Sequence, residues 1–257
     1  MNTNYTDVTV LVDRSGSMAS IKQETLAGLN SFISEQKKTP DEIKLEGRRI
    51  TFSLDEVNNP IICKLTLIQF ASGVYIKTVD AKDICEVNPI LSNEYNPNGG
   101  TPLIYSFCRA IDETGTRLGT LSEADRPGRV IFLTITDGEE TAFNVPKQTL
   151  KDKIQHQSEV YKWQFIYQGA NQDAIAEAAE IGISAGNALT YAATDMGTTM
   201  SFHSAAHLVS SKRYSCSVQD MDSMSYTVED RSAQTKELGH SITNADPNIV
   251  TSQTTKS

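Results

Sequence analysis

Asp13, Ser15 and Ser17 stand at alternate positions directly after a short apolar run, VTVLV. A buried strand gains nothing from a carboxylate at its tip, so something must gather around that tip. A second carboxylate, Asp137, ends another apolar run, VIFLTIT, and Thr101 follows a glycine pair in NGGTPL. If the two runs are neighbouring strands of one sheet, both carboxylates share a crevice, with Ser15, Ser17 and Thr101 in reach. Left alone they repel and drive one pKa upward. A divalent cation removes that cost. Carboxylates and hydroxyls are hard oxygen donors, with no sulfur or imidazole in the set, which favours magnesium, with manganese or calcium behind it. Alternate loop residues can turn their side chains to one side, and Gly16 gives the backbone freedom to curl. The competing explanation is helix capping, for which Asp and Ser are equally suited. Thr101 could likewise cap a helix that begins at Pro102.

The elements that must position these residues are legible around them. VTVLV, LTLIQF (65–70), VIFLTIT (130–136) and WQFIYQG (163–169) are short continuous apolar runs, as expected of parallel strands covered on both faces. A Ser72-Gly73 turn followed by VYIKTV predicts an antiparallel hairpin partner for the second run, and NALTY predicts a last strand. Helices are expected over 20–37, 101–121, 146–160, 174–181 and 197–211, the fourth stopped by Gly182. Strands alternating with helices give an α/β fold. The fold class is a Rossmann-like, doubly wound, mostly parallel central sheet with one antiparallel edge strand and helices on both faces.

Two stretches break this rhythm. Residues 39–63 are long for a helix-to-strand connection and contain a strand-like piece, RRITFSL (48–54), so they are expected to form an insertion, with an extra hairpin. Residues 212–257 are rich in Ser, Thr, Gln and Asp with few large apolar side chains, so a disordered tail is expected there after a domain spanning 1–211. Its Ser and Thr residues could accept phosphate, against the simpler reading of a solvating tail.

The 257 residues carry a formal charge of −9 and a pI near 5.0. That argues against a surface tracking nucleic-acid phosphates, which needs clustered Lys and Arg. No apolar run approaches the ~20 residues needed to span a bilayer. MNTNYTDV has no basic segment before an apolar stretch, so a cytoplasmic location is expected. Four dispersed cysteines, Cys63, Cys85, Cys108 and Cys216, fit free, buried thiols in a reducing compartment.

The pattern D13-R-S15-G-S17, with Thr101 in GGTPL and Asp137 in TITDG, resembles the metal-ion-dependent adhesion site of the von Willebrand factor type A (vWA) domain family. All five positions carry the family's residue type in the family's order, and the resemblance covers about 6–211. The mix of NGGTPL, RPGRVIFLTITDGEE and WQFIYQGANQDA is similar to small stand-alone bacterial and phage vWA proteins. The resemblance implies that Asp13, Ser15, Ser17, Thr101 and Asp137 hold Mg2+, directly or through water. It also implies a position on the metal for an Asp or Glu of a protein partner. A strand order like 3-2-1-4-5-6 would put the strands before Asp13 and Asp137 side by side.

The expected function is a non-enzymatic, Mg2+-dependent protein-binding module, with no nucleic-acid or membrane partner. Its partner could be an AAA+ ATPase or a kinase/phosphatase system. The alternative is a Mg2+-dependent phosphohydrolase or phosphotransferase using Asp13 as nucleophile. Such enzymes place a second aspartate where this chain has Ser15, and no GxxxxGK loop accompanies it. Among other candidates, Glu139 and Glu140 are either acids behind the metal ligands or the acidic first turn of a following helix. Asn171 follows a strand and could line the crevice. His203 and His207, four apart on a helix, lack the glutamate of the zinc-protease pattern and are expected to be a solvated or packing pair.

Overall fold

The computed structural model describes residues 1–45, 61–138, 140–142, 144–170, 173–215 and 217–245. Six strands, β1 (Asn2–Asp13), β2 (Ile62–Ala71), β3 (Val74–Asp83), β4 (Pro127–Thr136), β5 (Gln164–Ala170) and β6 (Ala188–Tyr191), form one sheet. Their order is β3-β2-β1-β4-β5-β6. Only β3 is antiparallel, joined to β2 through the Ser72-Gly73 turn, where Gly73 takes φ 73°. The expected sheet is therefore the observed one.

Strand β1 lies at the centre between β2 and β4, parallel to both. Its alternation explains the unbroken apolar run. Val8, Val10 and Val12 point into one core layer and Leu11 into the other. The first layer is covered by α1 (Lys22–Gln36) and α6 (Asp195–Arg213), which contribute Leu29, Phe32 and Phe202. These two helices approach so closely that a Cβ on Gly28 would fall 2.3 Å from the Phe202 ring. The second layer is covered by α3 (Leu103–Gly119), α4 (Lys147–Tyr161) and α5 (Ala174–Glu180), around Phe107, Phe132, Trp163 and Phe165. With both faces dry, a strand has no polar side, and the period-two signal disappears from the sequence.

Three expectations need correction. The segment 212–257 is not a disordered tail as far as it is described. Two helices, α7 (Val218–Ser223) and α8 (Val228–Ala245), close the described chain, the label α2 belonging to a short helix after α1, Pro40–Leu45. Lys212 is fully buried, and its ammonium donates to Gln164 Oε1 (3.0 Å), Met221 O (2.8 Å) and Met224 O (2.9 Å). Arg213 donates to Gln36 O (2.7 Å), and buried Gln234 of α8 accepts from Ala192 N and donates to Gly197 O. Polar anchors of this kind leave no apolar periodicity for composition to register. The thiols are not all buried: Cys63 and Cys108 are, but Cys85 is exposed, in the turn that ends edge strand β3. Thr101 does not cap the helix that follows it, for a reason given below. The strand-like piece at 48–54, Glu139, Asn171 and Cys216 lie outside the described residues. Among those described, no helix is long and apolar enough to cross a membrane.

Burial pulls the Lys212 pKa down to about 8 while the Asp222 charge pulls it up, and the buried ammonium gives its protons to three oxygens. Lys212→Met should therefore cost roughly 2–4 kcal/mol in urea unfolding, since it removes the donor to Gln164 Oε1 and Met224 O and leaves Met221 O only its 3.4 Å bond from Met224 N. A change within about 0.5 kcal/mol, typical of exposed sites, would show that 212–245 does not belong to the folded core.

Candidate metal centre

In a parallel sheet the crevice for a ligand opens at the carboxyl ends of the strands, where the chain leaves neighbouring strands in opposite directions. Here that point lies between β1, followed by α1, and β4. Asp13 is the last residue of β1, and Asp137 directly follows β4.

The first loop is bent by its own hydrogen bonds. Asp13 Oδ1 accepts from Ser15 N at 2.6 Å, turning the chain back over the strand end. Gly16 N then donates to Gly99 O and Arg14 N to Phe70 O, while Arg14 O accepts from Asn98 N. These bonds fix the loop against residues 96–100, where Gly99 adopts φ 85°, a conformation costly for a side-chain-bearing residue. Ser15 precedes a 3-10 turn (Gly16–Ile21) but makes no capping bond. Its hydroxyl lies 3.0 Å from that of Ser17, which donates to Asp137 Oδ1 at 2.7 Å. The helix-capping explanation for these residues therefore fails on geometry, because their side chains face each other and Asp137.

The second and third loops are tied together. Thr101 N donates to Thr141 Oγ1 (2.7 Å), and Thr141 N donates to Thr101 O (3.0 Å). Glu140 reaches from the loop after β4 to the start of α3: its Oε2 accepts from Ile104 N and its Oε1 from Ala142 N, both at 2.6 Å. Hence Glu140, not Thr101, caps this helix, whose own N-cap position is Pro102 with no side-chain bond. The expectation that Glu140 opens a following helix is also corrected, since α4 begins only at Lys147. The sequence gives acids after Asp137 but no sign of a partner 36 positions earlier.

Gly138 shows what this arrangement leaves open. A Cβ built there would lie 3.0 Å from Thr101 Oγ1, 3.6 Å from Ser17 Oγ and 3.9 Å from Asp13 Oδ2. Side-chain oxygens of the first and second loops thus converge beside the third on one small volume that a side chain would fill, and Asp137 of the third loop is bonded to one of them, Ser17 Oγ. Only two carboxylates contribute, the remaining donors being hydroxyls. That is consistent with the absence, among the described residues, of any cluster of three or more His, Cys, Asp or Glu side chains fit for a metal. His203 and His207 lie on α6 with ring centroids 4.0 Å apart and the rings tilted by 44°, His203 being exposed.

Both carboxylates are electrostatically uncomfortable. Asp13 is fully buried, and desolvation pushes its pKa up to about 6. The hydroxyl of Thr136, donating to Asp13 Oδ2 at 2.6 Å, and Ser15 N pull the other way, while Asp137 adds repulsion. Asp137 is raised as well, by burial, against the Ser17 hydrogen bond. Beneath them, Tyr95 Oη donates to Asp13 O (2.6 Å) and Tyr191 Oη to Thr136 O (3.3 Å). Burial raises both phenols well above their ordinary range, so they remain donors.

The architecture and site together define a vWA-like fold. The pilus adhesin SpaC from Lactobacillus rhamnosus GG, in an open conformation, matches with a TM-score of 0.53 at 12% identity over 83% of this chain and 31% of that one. Proximal thread matrix protein 1 from the mussel byssus, with a zinc-occupied MIDAS motif, gives 0.48 at 15% identity, over 81% of this chain and 47% of that one. The manganese-loaded TRAP protein of Plasmodium vivax gives 0.45 at 14% identity, over 79% and 74%. The chain thus spans less than half the length of the first two, and at these identities the likeness concerns the fold alone. No family model and no curated protein sequence matches the chain.

A buried carboxyl with a raised pKa stabilises the fold when protonated. That contribution is complete below the unfolded value of 3.8 and is lost as pH rises through about 6. In the presence of EDTA, Asp13→Asn should therefore gain stability relative to wild type as pH rises from about 4 to about 6, by up to roughly 3 kcal/mol. Urea midpoints across that range measure it, and a pH-independent difference would contradict the assignment.

Proposed function

We propose that the chain is a non-enzymatic, divalent-cation-dependent protein-binding module. Asp13, Ser15, Ser17, Thr101 and Asp137 would hold the ion. The observation that carries this reading is the volume beside Gly138, bounded by Thr101 Oγ1, Ser17 Oγ and Asp13 Oδ2. The donors are all hard oxygens and both carboxylates are raised in pKa, so a hard dication offsets the repulsion that the fold leaves uncompensated. Mg2+ is the ion best suited to few carboxylates and several neutral oxygens, with Mn2+ and Ca2+ as substitutes. When bound, such an ion supplies a positive charge that attracts an oxygen anion from outside. A protein partner presenting an Asp or Glu fits that chemistry, with AAA+ ATPases and kinase or phosphatase systems as candidate partners.

The chain's own residues define the docking geometry. The tyrosines beneath the site and the bonds among the three loops hold the oxygen donors in place before a partner arrives, which reduces the ordering cost of binding. Asp13 is poorly placed as a phosphohydrolase nucleophile. It is fully buried, and its two oxygens already accept from Ser15 N and from Thr136 Oγ1.

Mg2+ at millimolar concentration should raise the melting temperature of the wild type near neutral pH by about 3 °C or more, since a ligand at 100 times its Kd stabilises by ~2.7 kcal/mol. Asp13→Ala or excess EDTA should abolish the increase. The same four conditions decide the partner question. A protein retained from cytosol by wild type in Mg2+, and lost in the other three, establishes metal-bridged docking. Retention indifferent to metal and mutation would end this reading.

A further inference from the structure

The hydrogen bonds that join the loop after β4 to the start of α3 do more than close a turn. Thr101 contributes both of its main-chain groups to Thr141: N donates to the threonine hydroxyl (2.7 Å) and O accepts from the threonine amide (3.0 Å). Glu140 adds a two-point attachment, receiving Ile104 N and Ala142 N on separate oxygens, each at 2.6 Å. Gly100 is required for this approach, because a Cβ there would lie 2.7 Å from Thr141 Oγ1. The helix has no cap of its own and no acidic residue in its first turn. Its first turn is therefore held by a carboxylate borrowed from the loop that also carries Asp137.

We propose that Glu140 and Thr141 are positioning residues that latch Thr101 to the Asp137 loop and so set the spacing of the oxygen donors in the crevice. The inference rests on the reading of that crevice as a cation site. Among the described residues, no other hydrogen bond joins the second loop to the third. The remaining bonds of the 96–100 segment run to the first loop, to Lys22 at the start of α1, to Asn93 O and to Ser72, whose amide donates to Gly100 O. Without the latch, Thr101 would keep its fold-level place at the start of α3 while losing its register against Ser17 and Asp137. Ligands held by an outer set of hydrogen bonds lose metal affinity when that set is removed, even though no ligand has changed.

The test uses Mn2+ as the probe, with free ion followed by electron paramagnetic resonance on the folded full chain. Thr141→Val keeps the shape and deletes the acceptor for Thr101 N, whereas Thr141→Ser restores the hydroxyl. Glu140→Gln keeps the size but replaces one acceptor oxygen by a donor. Thr141→Val and Glu140→Gln should each weaken Mn2+ binding about tenfold or more, and Thr141→Ser should return it to within about threefold of wild type. A purely structural role would lower the urea midpoint and leave the affinity of the folded protein unchanged, and that result overturns the proposal. Should Thr141→Val fail to fold, Glu140→Gln decides by the same criterion, since it retains one acceptor and the full side-chain volume. Asp13→Asn separates the two layers of argument. If wild type binds Mn2+ no better than Asp13→Asn, the cation reading itself falls. If wild type binds, Asp13→Asn does not, and the latch variants bind like wild type, the cation reading stands and the latch is wrong.

Discussion

Two carboxylates from adjacent parallel strands lie together in a desolvated crevice, and the rest of the site is arranged around that fact. Asp13 is fully buried and raised in pKa by desolvation, with Asp137 adding to the shift. A protein seeking stability alone would place a hydroxyl or an amide at either position, because buried charge without a counter-charge is expensive. The sequence instead spends hydrogen bonds on holding the carboxylates still. Ser15 N and Thr136 Oγ1 occupy the two oxygens of Asp13, and Ser17 Oγ donates to Asp137. These donors favour the ionised forms, but in both groups burial remains the largest cause and the net shift is upward. Strain left uncompensated in this way is characteristic of functional sites rather than of structural ion pairs.

The contrast within the same strand is instructive. Asp7, midway along β1, is equally buried, but Arg117 meets it with two parallel bonds of 2.9 and 2.8 Å and Tyr5 Oη donates to it as well. That carboxylate has its counter-charge within the chain. Asp13 has none among the groups bonded to it, all of which are neutral. Two buried aspartates six positions apart on one strand thus separate a solved structural problem from one left open for a ligand.

Most of the fold was legible because it arises from local chemistry. A strand covered on both faces must be apolar throughout, so β1, β2, β4 and β5 announced themselves as runs, and of the residues proposed to hold the ion Asp13 and Asp137 stand at the ends of two of them. What was not legible was held by bonds between distant segments. The last two helices are anchored by Lys212, Arg213 and Gln234, polar residues whose burial depends on acceptors in Gln164, Gln36 and the chain around Met221 and Gly197. Composition counts such residues as solvating, hence the expected disorder. Glu140 failed for the same reason. Acids after a strand suggest the first turn of the next helix, yet Glu140 Oε2 serves an earlier one, accepting from Ile104 N 36 residues back in the chain.

The C-terminal helices and the crevice are parts of one hydrogen-bonded structure rather than a domain and an appendage. Strand β6 is an edge strand of four residues, short enough that its outer side needs cover. Helix α8 supplies it: Gln234 accepts the buried amide of Ala192, and Glu237 accepts from Thr194 Oγ1 at 2.7 Å. One residue before Ala192 stands Tyr191, whose hydroxyl donates to Thr136 O, and Thr136 in turn donates through Oγ1 to Asp13. The side chain that covers the sheet edge and the side chain that supports the Asp13 carboxylate are therefore held by consecutive residues, Ala192 and Tyr191, where β6 ends. Residues 212–245 thus help to hold the floor of the crevice, although none of them contributes an oxygen to its donor set.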